Sequence, residues 1–290
     1  MTNQAPPTID PTAAQRWQNH PSSESPWLHE EIARRMEERL DWIKLQPQSW
    51  AHWEPLRGGM QAHALLARRY PAAGCTVVES NDLRLKQAAA AMAKPWWQPA
   101  RWTAPATRFE YPLDGAVDML WANMSLHLAA DPQSLMVRWH RALAVDGFLM
   151  FSCFGPDTLL ELRATYQTAN WPMPSHDFTD MHDWGDMLAE AGFAEPVMDM
   201  ERITLTFESP ERLLQELRGL GRNLHPDRFT GLRGRQWYGQ LRQAVKAQPL
   251  QITFEIIYGH AFKPKPRLDM RAETTLTLAQ MREALGQGKK

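Results

Sequence analysis

Residues 147–163 read GFLMFSCFGPDTLLELR, and this stretch changes its structural period in the middle. Phe148 to Phe154 is a nearly unbroken apolar run, which suits a strand buried on both faces of a parallel sheet. Gly155-Pro156 ends it, Asp157 and Thr158 offer groups to cap or charge a helix start, and Leu159, Leu160 and Leu162 supply an apolar side. The stretch predicts a strand, a turn and a helix. Working outward, residues 75–79, which end in an acid, and 116–122, which hold Asp118, read as further short strands, each followed by a helical pattern. Together they predict a Rossmann-like α/β fold, a mostly parallel sheet with helices on both faces. Ligands of such sheets sit beyond the carboxyl ends of the strands, so Cys153 to Asp157 falls at the rim of a cleft.

The 290-residue chain is long enough for one large domain or two small ones, and its net charge of −1 argues against a general nucleic-acid binder. Cys75 and Cys153 form no metal-spaced pair and no disulfide framework. No signal-peptide pattern and no run of eighteen apolar residues occurs, so the expectation is a cytoplasmic protein without a membrane span. Thirteen tryptophans are present, several of them at Trp50, Trp53, Trp96, Trp97 and Trp102. They read either as packing area or as a stacking cage for an adenine or a cation.

Residues 1–26 are rich in Pro, Ser, Thr, Gln and Asn and read as a flexible arm. Ile32, Met36, Leu40 and Ile43 recur at helical spacing within 27–44, and Leu65 and Leu66 give a second helix over 62–69. Glu79 closes the strand at 75–79. A carboxylate there accepts two ribose hydroxyls in Rossmann-like sites; the same acid with Asp82 also suits the start of the next helix. Asn123 to His127 form the turn after the strand at 116–122, and Asn123 reads equally as a donor to a ligand or as a turn-closing residue. His176, Asp177, Asp180, His182 and Asp183 have metal-ligand side chains, yet no HExxH or Cys pair fixes a geometry, so no metal is expected. Residues 195–207 and 250–258 are late strands. Between them, Arg212 to Lys246 carries eight basic residues against Glu216 and Asp227, a local positive field or a solvated helical face.

FSCFGPDTLLELR, FTDMHDWGDMLAEAGFAEPVMDME and EIIYGHAF together resemble the second half of the malonyl-carrier-protein methyltransferases of biotin synthesis. The likeness spans roughly residues 27–264 and extends to a related assembly factor that hydroxylates a protein arginine. It implies a seven-stranded class I methyltransferase sheet with an antiparallel last strand, and S-adenosylmethionine as cofactor. It implies an arm at 1–26 and a single domain at 27–264, with a cofactor half to residue 154 and a substrate half beyond it. A helical insertion at about 210–247 and a tail at 265–290 complete the division.

Where the family carries an acid and alternating glycines, this chain reads SWAHWEPLRGGM. One register sets Trp53, Pro55, Arg57 and Gly59 on the motif, and the other sets His52, Glu54, Leu56 and Gly58. The cofactor residues implied are Gly58, Gly59, Glu79 and Asn123. Arg163, His176 and His182 are candidates to orient the malonyl group, and the Arg212–Lys246 segment would dock an acidic acyl carrier protein. Gln15-Arg16-Trp17 resembles the Arg-x-Phe with which the family opens. The degenerate loop leaves two further readings, a binding or assembly protein without catalysis and an arginine hydroxylase.

Overall fold

The computed structural model describes residues 9–20, 24–93, 96–97, 105–229 and 231–266. Its frame is a seven-stranded sheet ordered β3-β2-β1-β4-β5-β7-β6. The strands are β1 (Ser49–Trp53), β2 (Gly74–Val78), β3 (Thr107–Phe109), β4 (Val117–Ala122), β5 (Leu143–Phe154), β6 (Ala194–Thr206) and β7 (Gln251–Phe262). All neighbouring pairs are parallel except those of β7, which runs antiparallel to both β5 and β6. The expected class I methyltransferase architecture is the one observed.

The helices are α1 (Pro11–Gln18), α2 (Trp27–Arg39), α3 (Pro55–Gly58), α4 (Met60–Arg69), α5 (Asp82–Ala91), α6 (Pro132–Ala142), α7 (Leu160–Thr168), α8 (Met181–Glu190), α9 (Pro210–Leu220) and α10 (Arg235–Lys246). Apolar faces of α2 and α4 bury Ile32, Met36 and Leu66 with Trp50 and Phe254 on one side of the sheet. On the other, α6 and α8 bury Met136, Trp139, Trp184 and Leu188 against Leu149 and Phe151. Two filled faces explain why Met119 to Ala122 of β4 and Phe148 to Phe151 of β5 are apolar without a break. Edge strand β6 instead alternates partly covered and exposed residues.

Two local expectations change. First, α7 begins only at Leu160, because Asp157 and Thr158 bind strand β7 and do not cap the helix. The Asp157 N–H donates to Glu255 Oε2 (2.6 Å), Thr158 Oγ1 donates to the Glu255 carbonyl (3.1 Å), and Leu159 turns left-handed at φ 65°. Second, the segment expected as an arm contains α1. Asp10 caps it by accepting from the Thr12 and Ala13 N–H groups, and Pro11 occupies its first turn. Ile9, Ala13, Ala14 and Trp17 form its buried side against Leu224. Residues 1–8, 21–23, Trp102 and all of the tail beyond 266 lie outside the described residues.

Candidate active site

Strand order reverses between β1 and β4, so the loops beyond their carboxyl ends diverge and leave a crevice. A cavity of about 450 Å³ occupies it, lined by Trp53 at the end of β1 with Glu54 and Arg57 after it, Glu79 and Ser80 after β2, Tyr111 after β3, and Ser125, Leu128 and Asp131 after β4. Leu135 and Arg138 of α6 close one side, and Trp17 and Gln18 of α1 another. Trp53 stands edge-on to both Tyr111 and Trp139, with ring centroids 5.8 and 5.9 Å away. Trp50 lies in the core, and Trp96 and Trp97 are exposed, so these three form no cage with Trp53.

The turn after β1 carries features of both motif registers. Glu54 takes φ 49° and ψ 51°, a left-handed conformation that glycine adopts without cost, while Pro55 and Arg57 are helical. Gly58 passes so close to the next strand's loop that a Cβ on it would stand 2.5 Å from the Asn123 carbonyl oxygen. Gly59, which belongs to the other register, takes φ 126°, so glycine is required at both 58 and 59, while Glu54 stands where the backbone favours one.

Of the expected cofactor residues, Glu79 lines the cavity. Its side chain is wholly buried. Oε1 accepts from the Leu56 N–H (2.9 Å), whereas Oε2, 3.7 Å from Arg84 Nη1, has no hydrogen-bond partner. Burial, and next the Glu54 carboxylate, push its carboxyl up to about 7. Asn123 lies behind the wall. Its Nδ2 donates to the His29 carbonyl (2.8 Å) and to the Gly58 carbonyl, and its Oδ1 accepts from Ser152 Oγ (2.5 Å). These bonds support the turn-closing one of its two readings. Gly58 and Gly59 shape the same turn without lining the cavity.

Sequence reasoning missed Arg57, a residue type seldom buried. Its guanidinium stacks 3.7 Å from the Trp17 ring centroid, and Nη2 donates to the carbonyls of Trp17 (2.5 Å) and His20 (2.8 Å). Burial lowers its pKa to about 9, so it remains a cation at neutral pH. Arg222 approaches the same indole at 5.2 Å, which ties α1 to the segment after α9.

Leu128 also lines a second, more apolar cavity of about 110 Å³. His127, Phe154, Leu162, Phe178, Leu217 and Phe254 are among its walls, with His176 and Arg222 as polar members. His176 Nε2 donates to the His127 carbonyl (2.9 Å), and its buried Nδ1 is unpartnered. Burial holds His176 down at about 4 and His127 well below the ordinary imidazole value, so both rings are neutral at pH 7. Arg163 approaches the Phe178 ring at 5.6 Å; Nη1 donates to the Pro156 carbonyl (2.8 Å), and buried Nε and Nη2 have no partner. His182 is exposed on the first turn of α8 and lines neither cavity. Among the described residues, no three His, Cys, Asp or Glu side chains converge as a metal site.

No protein-family model matches the chain. A candidate methyltransferase from Bacillus halodurans C-125 superposes with TM-score 0.55 at 14% identity, over 81% of this chain and 100% of that one. The Bacillus subtilis YcgJ protein does so with TM-score 0.53 at 11% identity, over 80% and 99%. These likenesses concern the fold. A malonyl-[acyl-carrier protein] O-methyltransferase from Gallionella capsiferriformans (strain ES-2) is 40% identical over 263 residues, 83% of this chain and 86% of the relative. Its namesake from Laribacter hongkongensis (strain HLHK9) is 36% identical over 257 residues, 83% and 84% of the two chains. With that identity across most of both sequences, this chain belongs to the malonyl-[acyl-carrier protein] O-methyltransferase family.

Proposed function

We propose that this chain transfers a methyl group from S-adenosylmethionine to the free carboxylate of a malonyl thioester on an acyl carrier protein, as part of biotin synthesis. The observation that carries the reading is the adjacency of two unlike cavities across Leu128, a large polar one and a small apolar one. A donor and an acceptor of different chemistry meet at such a boundary.

The residues around the larger cavity fit the cofactor. Its volume, about 450 Å³, lies within the usual span for small-molecule sites. Glu79 Oε2 is a buried acceptor without a partner, suited to ribose hydroxyls, and Ser125 Oγ and Arg57 Nε are buried and unpartnered beside it. A scaffold that had lost the reaction would tolerate a filled hollow; here Trp17 and Trp53 line the cavity and leave it open. When bound, S-adenosylmethionine supplies a methyl group already activated on a sulfonium.

The acceptor needs no base, because a malonyl carboxylate is ionised at neutral pH. Neutral His127 and His176 therefore serve as walls, with His176 Nδ1 ready to accept one hydrogen bond from the acceptor's chain. Phe154, Phe178 and Phe254 exclude the water that would otherwise blunt the carboxylate. Arg163 offers two unpartnered N–H groups beside Phe178, a fork that orients a carboxylate. Holding the reacting atoms in line can remove ~7–11 kcal/mol of barrier, so positioning suffices.

The acceptor cavity draws on both halves, with His127, Leu128 and Phe154 from the first and Thr158, Leu162 and Phe254 from the second, and Trp17 and Gln18 before residue 27 join the donor cavity. In the basic segment, Arg212, Arg228 and Arg242 pair with Glu216, Asp10 and Glu211, which weakens the field an acidic carrier meets. Arg222 lines the acceptor cavity, and Arg233 stacks on Trp237 at 4.0 Å, so these two are the stronger docking candidates. The test is methyl transfer from labelled S-adenosylmethionine. Malonyl-carrier protein should become labelled and free malonate should not, and Arg163→Ala should lower the rate ~10-fold or more. A chain that binds the cofactor but labels neither acceptor would refute the reading.

A further inference from the structure

The loop that follows the first strand in dinucleotide and nucleoside sites holds an anion with backbone N–H groups, which is why it is rich in glycine. In this chain those groups are already used. The Leu56 N–H donates to Glu79 Oε1 (2.9 Å). The N–H groups of Arg57 (3.2 Å) and Gly58 (2.9 Å) donate to the Glu54 carbonyl, and that of Gly59 to the Pro55 carbonyl (2.9 Å). Met60 donates to Glu30 Oε1 (2.8 Å) and Ser25 Oγ (3.0 Å), and Gln61 to Glu30 Oε2 (3.1 Å). Pro55 has no N–H, and Glu54 N–H reaches the Val78 carbonyl (2.7 Å). From Glu54 to Gln61, every backbone donor has a protein acceptor. The start of α4 is moreover occupied by the Glu30 carboxylate, which repels a second anion.

A ligand with an α-amino-acid end must therefore be met here by side chains. Two are in place on the cavity wall, three residues apart in the same turn, with opposite charge. Glu54 holds a left-handed backbone that a glycine would adopt more readily, and strain of this kind is retained where a side chain is needed. Among the described residues its carboxylate makes no hydrogen bond or ion pair. Arg57 is 7% exposed, is pinned by Trp17 and His20 through Nη2, and keeps a buried Nε without a partner.

We infer that Glu54 and Arg57 replace the glycine loop: the Glu54 carboxylate accepts from the ligand's ammonium, and the Arg57 guanidinium donates to its carboxylate. This rests on the S-adenosylmethionine reading and explains how a chain whose motif keeps one glycine holds the amino-acid end of that cofactor. It also gives the loop its proline: without a ligand against the backbone, Pro55 removes no contact. The recognition is of a zwitterion, so it discriminates between ligands with and without an amino-acid end.

The test is calorimetric titration of the full chain with S-adenosylhomocysteine and with 5′-methylthioadenosine, which has the same nucleoside thioether but no amino-acid end. Wild type should bind the first more tightly. Glu54→Gln and Arg57→Gln should each weaken S-adenosylhomocysteine binding ~10-fold or more and leave 5′-methylthioadenosine unchanged. Circular dichroism and the melting temperature establish that each variant is folded; if Arg57→Gln is not, Glu54→Gln decides alone. Equal loss for both ligands, or loss of discrimination in Arg138→Gln but not in Glu54→Gln, would overturn the inference while leaving the cofactor reading intact. Failure of wild type to bind either ligand would overturn both.

Discussion

The Gly58 Cα faces the carbonyl oxygen of Asn123 at a distance that admits no side chain: a Cβ there would stand 2.5 Å from that oxygen. Asn123 in turn donates Nδ2 to the Gly58 carbonyl and to that of His29, so the turns after β1 and β4 and helix α2 are one unit. Gly58→Ala must push these turns apart and should destabilise the protein by ~1–3 kcal/mol. Urea unfolding measures it. A change below about 0.5 kcal/mol, the range of a neutral surface substitution, would show the contact to be slack.

Glu54 makes the opposite prediction. Its left-handed backbone costs a side-chain-bearing residue about 1–2 kcal/mol, and its carboxyl is buried enough to be pushed up in pKa. Glu54→Gly should therefore raise stability by about 1 kcal/mol while weakening S-adenosylhomocysteine binding. Both are read from one melting series with and without ligand. A glycine variant that is less stable, or that binds more tightly, would contradict the account.

Burial first, and next the Glu54 carboxylate, push the Glu79 carboxyl from its ordinary 4.5 up to about 7. A raised carboxyl contributes stability that is full below 4.5 and is lost as pH climbs to about 7, because the folded state then holds a proton the unfolded chain has released. The melting temperature of Glu79→Gln relative to wild type should accordingly move in the variant's favour between pH 5 and pH 8. Affinity for the nucleoside should rise over the same interval in wild type only, since the ionised acid is the better acceptor. A pH-independent difference between the two proteins would remove the assignment.

His176 works with the reverse sign. Burial lowers it from 6.5 to about 4, so its contribution is present above 6.5 and is lost as pH falls toward 4, on the order of 3 kcal/mol in full. His29, also held at about 4 by burial, adds to the same acid sensitivity, against which Glu79 acts. Unfolding free energies at pH 7 and pH 5 should differ less in His176→Asn than in wild type. Equal differences would mean that the ring is not buried neutral.

Much of the frame was legible in the sequence because strands covered on both faces are largely apolar: Met119 to Ala122, and Phe148 to Phe154 with Ser152 as its one polar residue, announce themselves without a neighbour. The antiparallel β7 followed from resemblance, since a single apolar run carries no direction. Helix α1 was hidden because Ile9, Ala13, Ala14 and Trp17 are spread among Pro, Gln and Asn, and only the contact with Leu224 shows that they share a face. Glu79 could be placed from its position at a strand end. Arg57 and Glu54 could not, because their role depends on backbone donors being occupied by Glu30, Ser25 and Glu79, residues distant in sequence. For Asn123, sequence left two readings, and hydrogen bonds to His29, Gly58 and Ser152 separate them.

Thermal melting with S-adenosylhomocysteine tests most directly whether the crevice between β1 and β4 still holds a nucleoside cofactor. At a hundredfold excess over the dissociation constant, binding should add about 2.7 kcal/mol, a rise of roughly 5–10 °C, and Glu79→Ala should abolish most of it. An unchanged melting temperature in wild type at millimolar ligand would contradict the account.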